Sequence, residues 1–107
     1  MAGASAPVDL PGVCWVIEGK TVSQESLPVR VVRVSRQRFE LTLPVPLVPL
    51  ANVRLRVRFP GAGGESRDLY AKVVGVESED GAHLARVHLT SVDEADRRAI
   101  ESLITRA

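Results

Sequence analysis

Residues 26–43 read SLPVRVVRVSRQRFELTL. From Leu27 the segment alternates β-branched residues with arginines, a period of two that suits a pleated strand with one face buried. The pattern breaks at Ser35-Arg36-Gln37-Arg38 and resumes as Phe39-Glu40-Leu41-Thr42-Leu43. Val29–Ser35 and Arg38–Leu43 are therefore two strands joined by a tight, strongly basic connection.

Working outward, Val13–Ile17 is an apolar run bounded by Gly12 and Gly19 and reads as the first strand. Residues 1–12 are small, polar or proline and are expected to form a flexible tail, leaving 13–107 as a single domain. Glu18–Ser26 is a polar connection with room for a short strand. On the other side, Pro44, Pro46 and Pro49 make Leu43–Leu50 an extended crossing, since proline cannot donate to a ladder. Val53–Phe59 is the cleanest alternation, with Val53, Leu55, Val57 and Phe59 on one face and Arg54, Arg56 and Arg58 on the other. Pro60–Ser66 reads as a turn. Asp68–Val76 is a fifth strand, with Leu69, Ala71 and Val73 alternating against Tyr70, Lys72 and Val74. Asp80-Gly81 closes a hairpin onto Leu84–Leu89, the sixth.

After Thr90 the period changes. Ser91 and Glu94 have capping-box spacing, and a helix is expected over Val92–Thr105 with Ala95, Ala99, Ile100, Leu103 and Ile104 on its apolar face. Six hairpin-connected strands followed by one helix predict a mostly β protein: a six-stranded antiparallel β-barrel with a C-terminal α-helix.

A chain of 107 residues supports one core. A net charge of +1 does not advertise nucleic acid or a membrane surface as a partner, and no apolar run approaches the ~20 residues of a membrane span. The first residues lack the basic start and apolar segment of a secretory signal, so a cytoplasmic protein is expected. Cys14, the single cysteine, is read as a buried, inert thiol, and Trp15 as core. His83 and His88 have no companions at metal-ligand spacing. Gly61-Ala62-Gly63-Gly64 lacks the lysine of a phosphate loop and precedes a strand. No acid–base pair or nucleophile motif stands out, so no enzyme, catalytic residue, metal or cofactor is expected.

The order of elements resembles PilZ domains over roughly residues 13–105. Val53–Pro60 is similar to that family's strand ending in an apolar residue and proline. Ala71-Lys72-Val73-Val74 is similar to its following strand, and Ala85-Arg86-Val87-His88-Leu89, after Gly81, to its last. The resemblance implies a six-stranded barrel that binds cyclic di-GMP through two motifs. The first, R-x-x-x-R before the first strand, is absent, because no arginine precedes Arg30. The second, D/N-x-S-x-x-G, falls on Arg33-Val34-Ser35-Arg36-Gln37-Arg38, where only Ser35 survives. Each bidentate base contact gives ~1–3 kcal/mol, so losing two costs roughly 30-fold to 10⁴-fold in affinity.

Tight cyclic di-GMP binding is therefore disfavoured. The expected function is that of a regulatory adaptor acting through an unidentified protein partner, in bacterial motility, surface attachment or exopolysaccharide control. The rival is a small barrel binding a nucleotide or nucleic acid through its arginines. Arg30, Arg33, Ser35, Arg36 and Arg38 would be the ligand residues if a nucleotide binds; a solvated basic face is the plainer reading. Arg54, Arg56 and Arg58, at i, i+2 and i+4 on one strand face, are the candidate partner surface. Tracking a nucleic-acid backbone is disfavoured because only 4% of residues are aromatic and such surfaces interleave stacking rings.

Overall fold

Alternating burial runs through the strands and decides which side chains meet. In the computed structural model, which describes residues 5–60, 64–66 and 68–106, the long strands are β1 (Ser5–Glu18), β3 (Leu27–Ser35), β4 (Arg38–Leu43), β5 (Asn52–Phe59), β7 (Leu69–Glu79) and β8 (Ala82–Ser91). Two short strands, β2 (Thr21–Val22) and β6 (Gly64–Glu65), flank them, and α1 (Glu94–Arg106) ends the chain. The long strands follow the order β1-β3-β4-β8-β7-β5, all antiparallel, and β5 pairs back onto β1. The result is the closed six-stranded barrel with one C-terminal helix that the sequence predicts.

The barrel interior holds Cys14, Val31, Phe39, Leu41, Leu55, Val57, Leu69, Val73 and Val87, all fully buried. Each such apolar side chain contributes roughly 1.5–3 kcal/mol relative to an exposed one. Closure requires close backbone approach at one point. A Cβ on Gly12 would stand 2.6 Å from the Arg56 carbonyl oxygen, so only glycine lets β1 lie against β5 there. In the β7–β8 hairpin, Asp80 (φ 51°) and Gly81 (φ 78°) both take the left-handed conformation, the geometry of a type I′ turn.

Three features depart from the sequence reading. The segment expected to be a tail is a strand from Ser5 onward: Ser5–Pro7 and Leu10–Cys14 pair with β3. Ala6 and Leu10 are buried while Pro7 and Asp9 face out. Small residues and prolines hid that alternation; residues 1–4 lie outside the described residues. The turn expected over Pro60–Ser66 carries β6, and its residues 61–63 lie outside the described residues. At the helix, Ser91 still belongs to β8, and the cap is Asp93, whose Oδ1 accepts from the Ala95 N–H at 2.9 Å. Ala95 is consequently exposed, and Ile100 with Val92, Ala99, Leu103 and Ile104 forms the face packed on the core. α1 lies against β3 and β1.

The proline-containing crossing between β4 and β5 is anchored by Leu47, which is buried. It ends in a turn in which the Ala51 N–H donates to the Val48 carbonyl (3.2 Å). Pro49 and Leu50 are its central residues, with Leu50 at φ 72°. That is a type II arrangement, with proline where it is favoured and leucine where glycine is the usual occupant.

Candidate functional site

A bulge organises the first arginine cluster. On β3, Arg30 faces Thr42, Val31 faces Leu41 and Arg33 faces Glu40, so Val32 is an extra residue. Arg30 and Arg33 therefore both point outward although three positions apart. Each is engaged by β1: Arg30 Nη1 donates to Asp9 Oδ1 at 2.8 Å, and Arg33 Nη1 donates to Ser5 Oγ at 3.1 Å. Ser35 shapes the turn itself. Its hydroxyl accepts from the Arg38 N–H (3.1 Å) and donates to the Arg38 carbonyl (3.2 Å). Arg36 reaches toward α1, with its Nε 3.9 Å from Glu101 Oε1. Arg38 sits opposite His88 across β4 and β8. The five residues thus share one flank of the barrel, but Arg30, Arg33 and Ser35 are bonded to their own chain.

The second cluster is built on β5. Arg54, Arg56 and Arg58 share the outer face, opposite buried Val53, Leu55, Val57 and Phe59. Register with β1 brings Trp15 level with Arg54. The Arg54 guanidinium carbon lies 4.4 Å from the centroid of the indole ring and that of Arg56 5.5 Å, so Trp15 carries both cations. Trp15 is therefore an outward, half-buried residue rather than core. Tyr70 faces Arg54 from β7, completing a Trp–Arg–Tyr row across three strands. Arg54 Nε is buried and has no hydrogen-bond partner among the described residues. Arg56 Nε donates to Asp68 Oδ1 at 2.7 Å. That hydrogen bond, followed by the carboxylate's charge, raises the Arg56 pKa further, so it stays cationic.

Beside this row, Arg56, Glu65, Ser66 and Asp68 line an open, polar depression of about 320 Å³. Ser66 is bonded to β5 at both ends: its N–H donates to the Val57 carbonyl (2.7 Å), and its Oγ accepts from the Val57 N–H (2.9 Å). Arg58 is the exposed member of the trio, opposite Glu65 of β6. Sequence reasoning found the three arginines and missed Trp15, Tyr70 and Asp68. Their approach depends on the β1–β5 and β5–β7 registers, which no local pattern encodes.

Cys14 is fully buried, and burial pushes its thiol up to about 12 from an ordinary 9.0, which removes it from nucleophilic chemistry at neutral pH. Among the described residues no group of three or more His, Cys, Asp or Glu is placed to hold a metal ion. Among them, too, no helix is long and apolar enough to cross a membrane.

No protein-family model and no curated protein matches the chain. Solved structures do. The chain superposes with a TM-score of 0.77 on the Bacillus subtilis inhibitor of motility MotI/DgrA, at 12% identity over 99% of this chain. It spans half (50%) of that protein. On the PilZ domain of Escherichia coli YcgR, determined with c-di-GMP, the TM-score is 0.72 at 13% identity, covering 99% of this chain and 89% of that domain. The chain has a PilZ-like fold.

Proposed function

We propose that this protein is a non-enzymatic regulatory adaptor of the PilZ type that works in the cytoplasm through a protein partner and does not bind cyclic di-GMP tightly. The observation that carries the ligand half of this reading is the state of the β3–β4 turn. The position where the family's motif has an acidic or amide side chain holds Arg33, which is bonded to Ser5. The position of its glycine holds Arg38, and the one surviving residue, Ser35, has its hydroxyl bonded to the Arg38 backbone. The YcgR domain was determined with c-di-GMP and MotI/DgrA is an inhibitor of motility. A role in motility, surface attachment or exopolysaccharide control fits that company.

Titration calorimetry with cyclic di-GMP, with the YcgR PilZ domain as positive control, tests the ligand half. The expected result is no saturable heat at low-micromolar nucleotide. Saturable binding in that range overturns it, and makes Arg30, Arg33, Arg36 and Arg38 the residues to change first. Arginine-to-lysine substitutions there would separate a guanine-edge contact from a simple phosphate contact, because lysine lacks the planar fork.

The β5 face supports the partner half. Arg58 is exposed, and a surface of fixed cations suits an acidic partner. Arg58 is also the residue to reverse, since Arg54 and Arg56 lie on Trp15 and changing them alters packing as well as charge. Nucleic acid is the weaker reading: the ring that could stack a base lies under the Arg54 guanidinium.

A further inference from the structure

The edge of β7 beyond Val73 is open. β5 pairs with β7 only over Leu69–Lys72. The crossing extends that ladder by one step, where Leu50 N–H donates to the Val73 carbonyl and the Val73 N–H donates to the Ala51 carbonyl, both at 2.8 Å. The Val48–Ala51 turn then carries the chain away. From Val74 to Glu79, no strand among the described residues pairs on that side of β7, although β8 supports the other side from Gly75 to Glu79, with Val74 as the extra residue of a bulge.

The turn that opens this edge is itself unusual. Leu50 holds φ 72° and is 71% exposed, so its side chain adds strain without burial in the core. Left-handed backbone at a non-glycine residue crowds the Cβ against the carbonyl oxygen and is strained. Val48 is 70% exposed beside it, and Val74, the first residue of the open edge, is 45% exposed. An exposed apolar cluster therefore adjoins unpaired strand backbone. Past Val74 the outward residues are acidic: Glu77, which is bonded to Arg86, then Glu79 and Asp80.

We propose that the Val74–Glu79 edge is a docking site at which an extended segment of a partner protein adds as a further strand. Main-chain hydrogen bonds to the open edge supply affinity that does not depend on the incoming side chains. An apolar residue of the incoming segment meets Leu50, Val48 and Val74, and lysines or arginines at alternate positions meet Glu77 and Glu79. Charge selects this occupant over a second copy of the chain. Antiparallel self-pairing would bring the Glu77 and Glu79 carboxylates of two copies together, which is the device by which natural edges resist self-association. This surface is separate from the β5 arginines and does not depend on the cyclic di-GMP result.

Two blocked synthetic peptides provide the test, one alternating valine with lysine and the other valine with glutamate, with amide hydrogen exchange of the full chain as the readout. The lysine peptide should slow exchange of edge-facing amides within Val74–Glu79 and leave the rest unchanged; the glutamate peptide should not. Glu77→Lys with Glu79→Lys should exchange the two preferences, weakening the lysine peptide about tenfold. Leu50→Gly, which suits the turn backbone and so keeps the fold, should weaken it as well. Amides already slow in the free chain, protection elsewhere or none at all, or a concentration-dependent dimer in sedimentation would each overturn the proposal.

Discussion

The two arginine clusters look alike in sequence and differ in energy. On β3, Arg30 and Arg33 extend along the surface to Asp9 and Ser5, with Arg30 and Asp9 both largely in water. On β5, Arg54 and Arg56 are half-buried on an indole. Exposed ion pairs are worth about 0–1 kcal/mol, because water screens them and ordering two long side chains opposes them. A guanidinium over tryptophan that is shielded from water reaches about 2 kcal/mol. A count of arginines says nothing of this difference; the strand on the other side of the ladder decides it.

The strongest way to break the contrast is at the seam that creates it. Gly12→Val drives a side chain into the Arg56 carbonyl, 2.6 Å from the Cβ position, and should separate Trp15 from Arg54. A loss of about 3 kcal/mol or more is expected in urea unfolding. Next is Trp15→Ala, which removes the half-buried ring and its hold on Arg54, for about 2 kcal/mol. A double-mutant cycle with Arg54→Ala should return a coupling of about 1–2 kcal/mol, and zero coupling would reduce the pair to simple proximity. Asp68→Asn should do less. It leaves Arg56 on the ring and an amide oxygen that can still accept from its Nε, but removes the carboxylate charge 2.7 Å away, and the effect should shrink with added salt in the same assay. The smallest effect belongs to the β3 cluster: Arg30→Ala should change stability by less than about 0.5 kcal/mol. If Arg30→Ala proved as costly as Trp15→Ala, the contrast between the clusters would fail.

What the sequence disclosed follows the same division. Strands with one buried face announced themselves: β4 begins and ends at the residues expected, and the inward and outward sets of β5 are those read from its alternation. The Asp80-Gly81 turn was visible because so few residues tolerate its backbone. β1 was half hidden. Its first half is built from Ser5, Ala6, Pro7 and Pro11, residues that strands usually avoid, and it is held by pairing with β3 rather than by propensity. The helix cap was misplaced because β8 continues to Ser91 and displaces the start to Asp93. At the site, the arginines could be named but not their partners. Trp15 meets Arg54 across a ladder between residues far apart in the chain, and hydrophobic periodicity carries no information about such pairings.

Cys14 occupies that seam, opposite Leu27 on β3 and Leu55 on β5, and is the chain's only thiol. Its ladder with β5 closes a long loop, a contact whose formation carries a large chain-closure entropy. A thiol reagent can reach the sulfur only when the barrel opens around it, and burial keeps the closed-state thiol protonated up to about 12. The native protein therefore carries its own stopwatch: the rate at which Cys14 is labelled, without denaturant, times the opening of the barrel.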